Sequence, residues 1–396
     1  MKSFQATASS NLGITQANSY IYSFATTSAQ ADSRTNTYTP LSSTDRLGAI
    51  CSDDSLRIFD PSTLQILPDG LISKVNNGVT SIKRFGTNGQ PCSIFVTTGR
   101  DGRVCGWDLR SKKRAFELRA PKGQPLSALD GNFELNAVVA GMEYEGIGVG
   151  DVSIFGWDVR KPGEIQMTYS ESHTDTITEL RFIPHAKSSS LLLSASTDGL
   201  VNIFDTSIPE EDDALYQVIN HHSALHHAGL MDNDLYALGT DEKMSIYAFP
   251  DPDPEVTQAP PFVLGDVRET LGCEYVVNVL QAGNKSVIAA GNHSEHWLDL
   301  INLNNAADKS SDRRNWEWRA DNDNRVRLVG GHGEEVVRDV FVSEGANVVF
   351  TCGEDGMVRQ WKGQQDGDVE MDGTKSAKRR HEGDKIKKEK RSKRDG

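Results

Sequence analysis

The side chains with the most chemical potential in this chain are a series of aspartates. Asp198 stands in "STDGLVNIFD" beside a glycine and ahead of an apolar run. Such a carboxylate can be a general acid, a metal ligand or a turn bracket that accepts from its own backbone two residues on. A second candidate is "HHSALHH", with His221, His222, His226 and His227. Imidazoles at that spacing suit zinc, but no cysteine or carboxylate joins them at finger-like spacing. "HSEH" (293–296) has the same weakness. "DGDVEMDG" (366–373) resembles a calcium loop but lacks the sixth-position glycine and the closing glutamate, so it reads as a solvated acidic linker. Nucleophile-elbow, phosphate-loop, zincin and dinucleotide patterns are missing. The expectation is therefore no catalytic residue, no metal and no cofactor.

Spacing decides what Asp198 is for. An aromatic follows it six residues later, at Phe204. The same offset links Asp53 to Phe59, Asp101 to Trp107, Asp151 to Trp157, Asp241 to Tyr247 and Asp355 to Trp361. The first five aspartates lie 43–50 residues apart, and the gap before Asp355 has room for one degenerate unit at 285–303. Repeats of this length are the mark of propeller blades. Each unit offers an alternating strand, a short apolar strand, a tight turn and a strand closing on the aromatic, as in "DTITELRFIP", "SLLLSAS" and "GLVNIFD". The fold class expected is all-β, a seven-bladed β-propeller over 19–365, with a disordered basic C-terminal tail. Nothing after Trp361 reads as a fourth strand, so "SYIYSFATT" (19–27) is expected to close the ring, leaving 1–18 as a flexible N-terminus. "FPDPDPEVTQAPPF" (249–262) reads as a loop. Trp316 and Trp318, in a polar insertion, read either as anchors for a partner or as folding back on a neighbouring blade.

The 396 residues carry a net charge of −14, unevenly placed. Residues 375–396 hold 11 Lys/Arg against 4 Asp/Glu, so the other 374 carry about −21. An acidic body repels phosphate backbones, which leaves only the tail for a weak, salt-dependent RNA contact. No N-terminal apolar core reads as a secretory signal and no run of about 18 apolar residues reads as a membrane span. Cys51, Cys92, Cys105, Cys273 and Cys352 are scattered in apolar stretches, as expected of unpaired thiols in a reducing compartment.

The Asp-to-aromatic register, with "GWD" at 106–108 and 156–158, resembles the WD-repeat family. The resemblance implies a propeller acting as an interaction protein without catalytic activity. It also implies a structural network joining a histidine, a Ser/Thr, the turn aspartate and a tryptophan. The last unit supplies His332, Thr351, Asp355 and Trp361; the unit around Asp198 supplies His173 and Ser194, with Phe204 in place of the tryptophan. Asp198→Ala is accordingly expected to cost less than Asp355→Ala. Thr97, Asp101 and Trp107 have "VNNG" where the histidine belongs. Two repeats end in W-D-x-R, resembling substrate receptors of cullin-RING ubiquitin ligases, in which Arg110 and Arg160 would face the adaptor. In the tail, Lys378-Arg379 and Lys390-Arg391-Ser392-Lys393-Arg394 are ten residues apart, matching a bipartite signal for a nuclear import receptor. The function expected is a non-enzymatic nuclear scaffold for other proteins in chromatin or ribosome assembly, the nucleolus included. It would be a monomeric propeller within a larger complex, off the membrane.

Overall fold

The computed structural model describes residues 1–28, 41–87, 90–183, 190–232, 234–249, 259–282, 285–305, 317–343 and 347–363. The tail's basic clusters and Trp316 lie outside the described residues. Residues 1–363 form one compact unit. Among the described residues the strands form five four-stranded antiparallel sheets and one nine-stranded sheet, in which Lys2–Ser10 links two further blades, so that the arrangement reads as seven blades. Blade 1 begins with Ile21–Thr26, blade 2 with Val79–Phe85, blade 3 with Leu126–Asn132 and blade 4 with Ile177–Ile183. Blades 5, 6 and 7 begin with Leu225–Met231, Tyr275–Ala282 and Val337–Ser343. Apolar clusters occupy every seam between neighbouring blades, including the seam of blade 7 with blade 1 around Ile21, Leu47, Phe350 and Cys352.

Local pattern explains the blades. Each first strand carries a β-bulge one residue in, for example between Ile177 and Glu179 and between Val337 and Asp339. The extra residue changes the apolar spacing from two to three between Ile177 and Leu180, which share the seam with blade 3, while Ile183 lies on the other face, in the seam with blade 5. Simple alternation, the sequence expectation for this strand, therefore holds only past the bulge. Second strands such as Leu191–Ser196 are buried throughout, because both faces meet a neighbouring blade.

The ring closes differently from expectation. Ile21–Thr26 pairs with Leu47–Cys51 inside blade 1. The closing strand is Lys2–Ser10, which runs antiparallel to Val358–Gly363 of blade 7 and parallel to Val326–Val329 of blade 6. Residues 1–18 are thus part of the ring: Phe4, Leu12 and Ile14 are buried. The reason is legible afterwards. An outermost strand buries little, and in "KSFQATASS" only Phe4 is fully buried. "IYSFAT" is the apolar strand that an inner position needs, separated from its partner by the long connection 27–46.

Candidate functional site

The turn aspartates organise one end of the ring, where second strands return to third strands and outer strands lead to the next blade. In blade 7, His332 Nδ1 lies 2.7 Å from Asp355 and its Nε2 lies 2.7 Å from Thr351 Oγ1. Trp361 Nε1 donates to the same Thr351 oxygen at 2.8 Å. Asp355 also accepts from the Met357 N–H and pairs with Arg359. Burial favours the neutral carboxyl, yet the bonds from His332 and Arg359 outweigh it and hold Asp355 below the ordinary aspartate range. Burial keeps the His332 imidazole neutral by lowering its pKa.

In blade 4, Asp198 accepts from the Thr174 and Leu200 N–H groups at 2.9 and 2.8 Å and lies 3.0 Å from His173 Nδ1. His173 Nε2 meets Ser194 Oγ at 2.7 Å. Phe204 stacks on Tyr169, and Asn202 Nδ2 donates to Ser172 O and sits 3.2 Å from His173 Nε2. Blade 2 uses a carboxamide where blades 4 and 7 use imidazole. Asn76 Nδ2 donates to Asp101, Thr97 Oγ1 donates to Asn76 Oδ1, and Trp107 Nε1 donates to Thr97 Oγ1. Blade 1 uses a guanidinium: Arg57 binds both Asp53 oxygens and donates from Nε to Leu12 O beside the closing strand. Arg57, Asn202 and Arg359 share one register, four residues past the turn aspartate. That offset was the signal available for finding them.

Two units depart further. In blade 5, Asp241 accepts from Ser223 Oγ and pairs with Lys243, while His221 lies against Tyr247 Oη and Lys243 O. In blade 3, Asp151 is exposed at the end of an eleven-residue connection, 143–153, so its six-residue offset from Trp157 marks no tight turn. Asp151 is in the repeat's register without its role.

The histidine cluster does not converge. His222 is exposed in a left-handed turn, His226 and His227 lie ring to ring at 4.2 Å, and His227 turns to Glu179 at 3.1 Å. Among the described residues, no group of three or more His, Cys, Asp or Glu side chains is placed to hold a metal. All five cysteines are buried free thiols. Trp318 is buried against blade 6 in the cluster with Trp297 and Ile301.

Around the central axis the inner strands bring together charges that the repeat pattern did not flag. Lys83, Arg181 and His227 surround Glu179 at 3.5, 3.4 and 3.1 Å. Burial opposes ionisation of Glu179, but the Lys83 and Arg181 charges and the bond to His227 prevail and hold it far below the usual carboxylate range. Asp339 joins blade 7 to blade 1 by accepting from Ser23 Oγ and the Phe24 N–H. Burial raises its pKa and that of Asp130, which accepts from the Phe182 N–H.

Comparison with known proteins fits this geometry. The family model described as WD domain, G-beta repeat matches residues 163–205 and 323–362, which contain the His173 and His332 networks. An uncharacterized WD repeat-containing protein of Saccharomyces cerevisiae is 31% identical over 318 residues, covering 79% of this chain and 75% of its own. The chain belongs to the WD-repeat family. WD repeat-containing protein GTS1 of Arabidopsis thaliana is 24% identical over 326 residues, 80% of this chain and 77% of its own. The WD repeat-containing protein 89 homolog of Dictyostelium discoideum is 23% identical over 205 residues, 51% of each chain.

The two W-D-x-R arginines of this WD-repeat protein sit at the opposite end of the ring, in the turns between third and fourth strands of adjacent blades 2 and 3. Arg110 pairs with Asp108 at 3.3 Å and Arg160 with Asp158 at 2.6 Å. The hydrogen bonds from Arg160 hold the Asp158 carboxyl at about 2. Both guanidiniums remain largely exposed. Arg268 and Asp266 repeat the pairing at 2.6 Å without the tryptophan.

Proposed function

We propose that this WD-repeat protein is a non-enzymatic platform for other proteins, working in the nucleus within chromatin or ribosome-assembly complexes. The observation that carries the platform reading is how the turn aspartates are used. Asp53, Asp101, Asp198, Asp241 and Asp355 all spend their acceptor capacity on donors inside their own turns or neighbouring networks. They brace loops rather than converge on a substrate. Stiff loops on a closed ring lose little entropy when a partner binds, so surface complementarity converts efficiently into affinity. The basic tail supports nuclear import, and the acidic body suits basic partners. Affinity purification of the tagged chain from nuclear extract, with and without nuclease, tests this. Recovery of defined nuclear complexes that survive nuclease supports the platform; recovery of nothing specific refutes it. A fusion lacking 375–396 that still enters the nucleus efficiently refutes the import role of the tail.

A second reading, a substrate receptor of a cullin-RING ligase, is favoured by one observation: Arg110 and Arg160 occupy matching turns of adjacent blades with exposed guanidiniums. Co-purification of the adaptor, abolished in Arg110→Ala/Arg160→Ala, would support it. Their pairing with Asp108 and Asp158 equally serves the turns alone, and failure to recover the adaptor leaves that role.

A further inference from the structure

The connection 143–153 in blade 3 is out of pattern. In the other six blades the link from second to third strand is three or four residues long; here it is eleven. It carries the two most exposed aliphatic side chains among the described residues, Ile147 at full exposure and Val149 at 82%. Both are held out by structure beneath them. Gly146 and Gly150 pack on the Tyr144 ring so closely that a Cβ on either would sit 2.4 Å from ring atoms. Gly148 has φ 83°, a conformation that favours glycine. The base is tied down on both sides. The Tyr144 N–H donates to Thr176 Oγ1, the Gly150 N–H to Thr174 O and the Glu143 N–H to Pro125 O. Arg100 makes two bonds to the Glu143 carboxylate, and Val152 is buried in the core.

A loop anchored this way presents an apolar tip that cannot fold down onto its own blade. Its surroundings are acidic. Glu145 and Asp151 lie on the loop, and Glu171 and Asp175 on the neighbouring connector that holds Thr174 and Thr176. Arg100 is already committed to Glu143. An anionic bilayer would repel such a rim. We infer that the 143–153 loop is a docking element for a basic protein segment carrying bulky apolar residues, with Ile147 and Val149 as anchors and the carboxylates as the steering rim. This rests on the platform reading and names one of its contact points.

The test uses the full chain and a synthetic peptide of alternating lysine and leucine, labelled for fluorescence anisotropy. A twin with glutamate for lysine, and phosphatidylcholine/phosphatidylserine vesicles, complete the probes. Ile147→Ser/Val149→Ser should leave the melting temperature unchanged, since both side chains are in solvent. It should weaken lysine/leucine peptide binding about tenfold or more, as loss of a central anchor does. Glu145→Gln/Asp151→Asn should weaken it a few fold and flatten its salt dependence. The glutamate twin should not bind. Unchanged peptide affinity in Ile147→Ser/Val149→Ser overturns the assignment, as does equal binding of the glutamate twin. Vesicle binding lost with the same substitutions also overturns it, by assigning the loop to lipid. The platform reading is tested separately, by the nuclear complexes that the unaltered chain recovers.

Discussion

Asp198→Ala is the substitution that best separates two ways of reasoning about this ring. Reading network completeness, it should cost less than Asp355→Ala, because blade 4 has Phe204 where blade 7 has Trp361. Counting stranded donors gives the opposite order. Removing the Asp198 carboxylate strands the Thr174 and Leu200 N–H groups and the buried His173 ring. Each partly buried donor left without an acceptor costs about 1 kcal/mol or more, so the sum is about 3 kcal/mol. Asp355→Ala strands His332 and the Met357 N–H, but its third donor, Arg359, is a fifth exposed and can rehydrate. Its cost is about 2 kcal/mol on the same scale. If the ring of residues 1–363 melts as one unit, these figures correspond to falls of roughly 4 °C and 3 °C. Paired thermal melts at pH 7 measure both, and amide exchange at Thr174 and Leu200 should accelerate in Asp198→Ala. The acid limb gives a further check. The folded-state pKa of Asp198 is lowered, so its contribution is fully present above the ordinary aspartate value of about 3.9 and fades as pH falls below it. Asp198→Asn should flatten that part of the acid limb. A larger melting shift for Asp355→Ala would refute donor counting and restore the ranking by network completeness.

Glu242 sits in the blade 5 turn, and its carboxylate accepts from the Val276 N–H of blade 6; burial raises it to about 7. Stability linked to it is therefore fully present below about pH 4.3 and lost as pH rises through 7. Glu242→Gln should stabilise the fold at pH 8 by about 1 kcal/mol after discounting for its partial exposure, seen as a higher melting temperature, and leave it unchanged at pH 4. Deleting residues 1–10 removes the closing strand from two sheet edges at once, so differential scanning calorimetry should show a fall of roughly 10 °C or more; an unchanged melt would mean the closure adds nothing. Trp361→Phe removes the indole bond to Thr351 and leaves a small cavity where the buried bicyclic ring was, so its cost by chemical denaturation should be about 2 kcal/mol.

The repeat was legible because it is local: an aspartate, a tight turn and an aromatic lie within seven residues, and six such registers suffice to announce blades. What failed to show was anything whose partner is remote in sequence. Lys2–Ser10 belongs with Val358–Gly363, and its outward position demands so few apolar residues that "KSFQATASS" gives no strand signal of its own. The inner-strand bulges were hidden for a related reason. Spacing of three between Ile177 and Leu180 contradicts simple alternation unless the extra residue at Thr178 is known, and Ile183 serves the opposite face. The same distance in sequence concealed the Glu179 cluster, whose Lys83 and His227 come from blades 2 and 5.

The substitutions within the networks teach something different. Asn76 takes the bridging place of a histidine because a carboxamide, like neutral imidazole, offers one donor and one acceptor on one planar group. Arg57 cannot bridge in that way, having no acceptor, and instead holds Asp53 directly while reaching the Leu12 carbonyl. Matching residue identities would score both blades as degenerate, whereas matching donor and acceptor roles keeps blade 2 whole and shows blade 1 to be rewired. Among the blades that carry the aspartate register, the one that leaves the pattern is blade 3. There the turn aspartate is released to solvent and the space it would have braced is given to a loop with an apolar tip, which is why the proposed docking element lies at Ile147 and Val149 rather than at any of the braced turns.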